Sequence, residues 1–115
     1  MLIKGDASPV IETAHGGLKK VFLKNGDVPH LTQVAHGEIV NVGSTEQYAH
    51  AHETMWEVYY ILAGVARYVV GDAIHEVRPG DVVAVPPKTR HFQDVLEAPH
   101  RFLYWGVAVD GPSTQ

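Results

Sequence analysis

From residue 58 onward the sequence breaks into short runs of β-branched and aromatic residues separated by turn formers. That rhythm constrains the fold more than any other feature. VYYIL is followed by Ala63-Gly64, VARYVV by Gly71-Asp72, AIHEV by Arg78-Pro79-Gly80, and DVVAV by Pro86-Pro87. HFQDVL is followed by Glu97-Ala98-Pro99, and RFLYWGVAV then runs to Asp110. Turn signals about every eight to twelve residues, between Val-, Ile-, Tyr- and Phe-rich runs, are the pattern of an antiparallel sandwich or barrel. No window of helical length carries a 3.6-residue period. The expectation is therefore an all-β chain, and 115 residues suffice for one domain.

The N-terminal part is less regular. Residues 1–24 read as an arm with a short β stretch around Val10 and Ile11. Gly16-Gly17 is a turn signal, and LKKVFL at residues 18–23 has strand content closed by Asn25-Gly26, a hairpin-type dipeptide. Residues 31–42 give one or two strands, bent at Gly37, where a lone glycine suggests a bulge. Gly43-Ser44-Thr45 reads as a loop, and residues 111–115 as a frayed tail.

Eight histidines are many for this length. A lone histidine in a strand is more often structural than ligating, and His15, His30, His36, His75 and His100 are read that way. His50 and His52 differ. Residues i and i+2 of an extended chain point to one face, so the pair projects two imidazoles side by side. Glu57 opens the next apolar run, and His91 follows a Pro-rich turn. Imidazoles and a carboxylate suit Fe, Mn, Ni, Cu or Zn. Three histidines and one glutamate leave coordination positions for water or substrate, the mark of a site that does chemistry.

These residues resemble the cupin superfamily. Gly43, six residues, His50-x-His52, four residues, Glu57, six residues and Gly64 follow its first motif, one residue longer after the first glycine. Gly80, five residues, Pro86 and then His91 follow the second, with Lys88 in place of a glycine and Val95 in place of an asparagine. Lys88 implies a turn that does not need glycine's backbone freedom. The motifs span residues 43–95. The resemblance implies a single-domain double-stranded β-helix, or jelly-roll barrel, holding a divalent metal inside one mouth on His50, His52, Glu57 and His91. It also implies a homodimer paired through a sheet edge and the N-terminal arm.

Alternation extends the site. With Glu57 inward, Tyr59 and Ile61 also face the lumen, and Val58 and Tyr60 face out. With His91 inward, so is Gln93, while Phe92 packs toward the other sheet or the outer layer. Tyr59 and Gln93 are thus candidate catalytic or substrate-binding groups, unless they simply fill the barrel. Arg67 is read as a solvated outer residue rather than a lumen cation. Met55 and Trp56 either wall the mouth or pack the core. Glu53 points away from the metal. One of Tyr104 and Trp105 faces the lumen.

Several functions are disfavoured. A formal charge of −4, with no basic cluster beyond Lys19-Lys20, argues against nucleic acid. No apolar run approaches a membrane span, and the N-terminus lacks a signal-peptide core. The absence of cysteine excludes disulfides and thiolate chemistry and fits a cytoplasmic protein. The expected function is a metal-dependent enzyme on a small organic molecule. A dioxygenase is the first choice; a redox-neutral isomerase, cyclase or lyase, or a non-catalytic ligand-binding module, is the alternative.

Overall fold

The computed structural model describes residues 1–13, 17–109; His15, Gly16 and the tail at 111–115 lie outside the described residues. Eight strands carry the fold: β1 (Ile11–Glu12), β2 (Leu18–Leu23), β3 (Leu31–Ile39), β4 (Gly43–Ser44), β5 (Met55–Val70), β6 (Ala73–Val77), β7 (Val82–Val85) and β8 (His91–Ala108). All pairings are antiparallel. They follow the path β1-β2-β3-β8-β5-β6, with β4 added on β8 and β7 on β5. Helical structure among the described residues is limited to two 3₁₀ turns, Gly5–Ala7 and Glu46–Tyr48. None of their helices is long and apolar enough to cross a membrane.

Two expected turns are absent. Ala63-Gly64 does not end a strand, and neither does Glu97-Ala98-Pro99. β5 runs unbroken for 16 residues and β8 for 18, and the two pair along almost their whole length. Their register shifts between Ile61 and Ala66, opposite residues 95–102. Gly64 sits in that shift with φ +77°, and a Cβ there would lie 2.5 Å from the carbonyl oxygens of both Glu97 and Pro99. The turn-forming residues thus bend two long strands in place.

The bend makes two walls from one sheet. Tyr59 and Tyr68 lie on the same strand, and nine extended residues would span roughly 30 Å. Their rings instead meet edge to face with centroids 5.2 Å apart. Residues 55–62 of β5 and 101–108 of β8 form one wall with β1, β2, β3 and β7. Residues 65–70 of β5 and 91–97 of β8 form the other with β4 and β6. The core lies between, built on Tyr59, Ile61, Ala66, Tyr68, Val77, Val83, Val85, Val95 and Phe102.

Cross-strand register orders the first wall's inner face into layers. Gln33, Gly106, Glu57 and Val85 form one; Val21, Ala35, Tyr104, Tyr59 and Val83 the next; Lys19, Gly37, Phe102 and Ile61 the third. Gly37 keeps regular pairing with Lys19 and Phe102, so the bulge expected there is absent. Glycine is needed because a Cβ would lie 2.4 Å from the Phe102 ring. The irregularities of β2 and β3 fall instead between Val21 and Leu23 and between Leu31 and Gln33. Gly43-Ser44, expected as loop, pairs with Val95 and Asp94.

Candidate metal centre

His50 reaches the site from a single bridge to His91, and His52 from the extended segment after it rather than from a strand. The same-face logic for i and i+2 survives, because the backbone is extended. The rings of His50 and His52 stand edge to face, centroids 4.7 Å apart, and the His91 ring lies 4.6 Å from that of His50. The His52 carbonyl accepts a hydrogen bond of 2.6 Å from the Lys88 N–H. Lys88 adopts φ +60°, so the expectation for this turn is corrected: the left-handed backbone is required here, and lysine supplies it.

The four side chains converge. One ligand atom from each of His50, His52, Glu57 and His91 lies within 4.8 Å of the others. Nε2 of His52 is 3.3 Å from Glu57 Oε2, and Nε2 of His91 is 3.4 Å from Glu57 Oε1. Nε2 of His50 is 3.2 Å from Nε2 of His52.

Proton positions follow from the backbone. The Tyr48 carbonyl lies 3.0 Å from His50 Nδ1, and the Thr89 carbonyl 2.9 Å from His91 Nδ1. A carbonyl can only accept, so each Nδ1 carries the hydrogen and each Nε2 presents a lone pair. Burial, outweighing the Tyr48 contact, lowers the pKa of His50 and keeps that imidazole neutral. His91 Nε2 is fully buried without a hydrogen-bond partner. It faces a carboxylate oxygen, so two acceptors confront each other with no proton between them.

Lone pairs aimed at one point call for a cation. Bonds of about 2.1 Å place adjacent donors roughly 3.0–3.4 Å apart, the spacing seen among these atoms. The donor set therefore fits a divalent metal. Burial disfavours the charge on Glu57. His52 and the donating Tyr59 hydroxyl outweigh that and hold its carboxyl well below the usual carboxylate range.

A cavity of about 460 Å3 opens beside this cluster, with Tyr59, Gln93, Tyr104 and Phe102 in its lining. The Tyr59 hydroxyl donates to Glu57 Oε1. Burial first, then the Glu57 charge, pushes that phenol well above its ordinary value, so it acts as a donor. Tyr104 is pushed up to about 12 by burial and by Glu57. Gln93 is held by Thr45, whose hydroxyl accepts from the Gln93 N–H at 3.0 Å and lies 2.9 Å from the Gln93 carbonyl oxygen. Tyr104 rather than Trp105 takes the lumen position. Phe92, expected to pack away, also borders the cavity and lies under the Arg90 guanidinium.

Other expectations sort as follows. Arg67, Glu53 and Trp56 are exposed, and Met55 is buried against Thr32. Among the described residues, His30, His36, His75 and His100 stay out of the cluster. His100 is fully buried: its Nδ1 donates to the Ala63 carbonyl at 3.1 Å, and its Nε2 accepts from Tyr68 at 2.8 Å. Gln33, Thr45 and Lys19 line the cavity without having been singled out. Alternation along β3 would have placed Gln33 beside Ala35 and Gly37.

Comparison with known proteins agrees with this fold. The sequence profile of the cupin domain matches residues 37–93. An uncharacterized protein of Methanocaldococcus jannaschii, MJ1618, is 33% identical over 105 residues, covering 82% of this chain and 83% of that one. Among solved structures, KdgF from Halomonas sp. superposes with a TM-score of 0.76 at 18% identity, over 94% of both chains. The FeII form of HppE gives 0.77 at 11% identity, over 92% of this chain and 60% of that one.

Proposed function

The chain belongs to the cupin family, and on that premise we propose that it is a metal-dependent enzyme acting on a small organic molecule in the barrel cavity, with dioxygenase chemistry the leading assignment. The carrying observation is the set of imidazole lone pairs converging on Glu57 at the wall of that cavity. His50, His52, Glu57 and His91 would hold the ion. When bound, a divalent ion supplies Lewis acidity and, if it is iron, one-electron chemistry toward dioxygen.

The chain's own groups divide the remaining work. Tyr48 and Thr89 carbonyls set the tautomers of His50 and His91. Tyr59 fixes the orientation of Glu57. Phe102 and Tyr104 give the cavity an aromatic wall that excludes water from one side of a ligand. Gln93, held by Thr45, offers an amide to that ligand.

The test is metal analysis of untagged protein, followed by oxygen uptake with Fe(II) across small acids, thiols and aromatic compounds. We expect about one ion per chain and oxygen uptake that requires both Fe(II) and substrate. Product formation without oxygen would move the assignment to the redox-neutral class. A His52→Ala variant that matches the parent in ligand turnover would remove the enzyme reading.

A further inference from the structure

Among the described residues that line the cavity, Lys19 is the only lysine or arginine. Lys19 pairs with Gly37 across β2 and β3, and Gly37 packs on the Phe102 ring, so Lys19 stands on the inner face of the wall. Its Nζ donates to Gln33 Oε1 at 3.4 Å. Gln33 occupies the same layer as Glu57 and hydrogen-bonds the Tyr104 hydroxyl. Lys19 therefore leans from the cavity edge toward the metal cluster.

Among the described residues no carboxylate forms an ion pair with it. The ion pairs among the described residues are His52–Glu57, Arg78–Glu76, His91–Glu57 and Arg101–Glu38. Glu38, the lining carboxylate on the strand next to Lys19, is engaged by Arg101 at 2.6 Å. Glu12 lines the same cavity but is exposed. Glu57 belongs to the metal, and the three histidines that accompany it bring no charge when they ligate. A divalent ion with one carboxylate keeps a net charge of about +1, and Lys19 adds another positive charge to the same cavity. Between two positive centres in a partly closed cavity, an anion is favoured.

We propose that the ligand of this cavity is a small organic carboxylate, its carboxylate held by Lys19 and its carbon skeleton lying on Tyr104 and Phe102. This inference rests on the metal-site reading for one of its two charges, and on Lys19 alone for the other. Gln33 positions Lys19: it accepts from the ammonium at 3.4 Å while hydrogen-bonding Tyr104.

Calorimetric titration of the full chain tests this with malate, 2-oxobutyrate and benzoate against the matching amides, with glycerol phosphate as a phosphate arm. The variants are Lys19→Met and Lys19→Arg, and metal content is measured on each. We expect at least one carboxylate to bind, its amide to bind at least tenfold more weakly, Lys19→Met to lose about tenfold in affinity, and Lys19→Arg to keep most of it. Metal content should match the parent in both variants, so a failure of the metal reading shows separately in the parent's own metal analysis. Amides that bind as well as acids would overturn the proposal. So would a Lys19→Met variant that keeps carboxylate affinity, binding of glycerol phosphate in place of every acid, or no binding by any acid.

Discussion

The Tyr59 hydroxyl donates to Oε1 of Glu57, the same oxygen that lies 3.4 Å from the orphaned Nε2 of His91. Two residues apart on β5, both side chains enter the lumen, and the phenol fixes which way the carboxylate turns. The Glu57 oxygens are thereby aimed at His91 and His52.

Tyr59→Phe should keep the fold, because the ring still packs against Tyr68, Phe102 and Tyr104. It removes the hydrogen bond that holds Glu57. Divalent-ion affinity should fall about tenfold or more. Competition with a chromophoric chelator reads this, beside circular dichroism to verify the fold. Unchanged affinity would mean that His52 and His91 alone orient Glu57.

Stability should depend on pH through His100, which is far from solvent and has its pKa lowered by burial from an ordinary 6.5. Below that value the unfolded chain takes up a proton that the folded imidazole refuses. The unfolded state then binds more protons, so stability is fully present above about pH 6.5 and falls as the pH drops toward the folded value. Urea midpoints of metal-free protein between pH 5 and 8 should show this decline. His100→Gln should flatten the part of the slope due to this residue. It should also cost about 1–3 kcal/mol at pH 8, as Tyr68 and the Ala63 carbonyl lose partners. An unaltered slope would assign the decline to other groups.

Gly64 and Gly71 both have positive φ, +77° and +57°, yet they should respond differently to alanine. At Gly71 the nearest atom to a new Cβ is Thr89 Cγ2 at 3.4 Å, so the cost is the left-handed backbone, about 1–2 kcal/mol. At Gly64 the Cβ would also strike two carbonyl oxygens of β8 at 2.5 Å. Gly64→Ala should therefore cost distinctly more than Gly71→Ala in urea denaturation, or fail to yield folded protein. Equal costs would show that the bend between β5 and β8 can yield.

Much of the site was legible because its signals are local. The His50-x-His52 pair needs only an extended backbone to share a face, and the parity of Glu57 and Tyr59 follows from the strand period. Lys88 misled, because its left-handed conformation accompanies a hydrogen bond from its N–H to the His52 carbonyl, a contact 36 positions back in the chain. Ala63-Gly64 and Glu97-Ala98-Pro99 misled for a related reason. Taken singly each reads as a turn, and only their pairing across β5 and β8 makes them a shared bend.

What the residues alone determined is the set of actors: an all-β chain with three histidines and a glutamate spaced to ligate, and no cysteine to compete with them. Tertiary structure decided how those actors meet. The register of β3 against β8 sets Gln33 opposite Gly106, in the layer of Glu57, and Gly37 opposite Phe102. Folding two long strands over one bend brings Tyr68 against Tyr59. The physical reason is that alternation and spacing are properties of a few consecutive residues, whereas register and bending are settled by contacts between strands whose positions no local pattern contains.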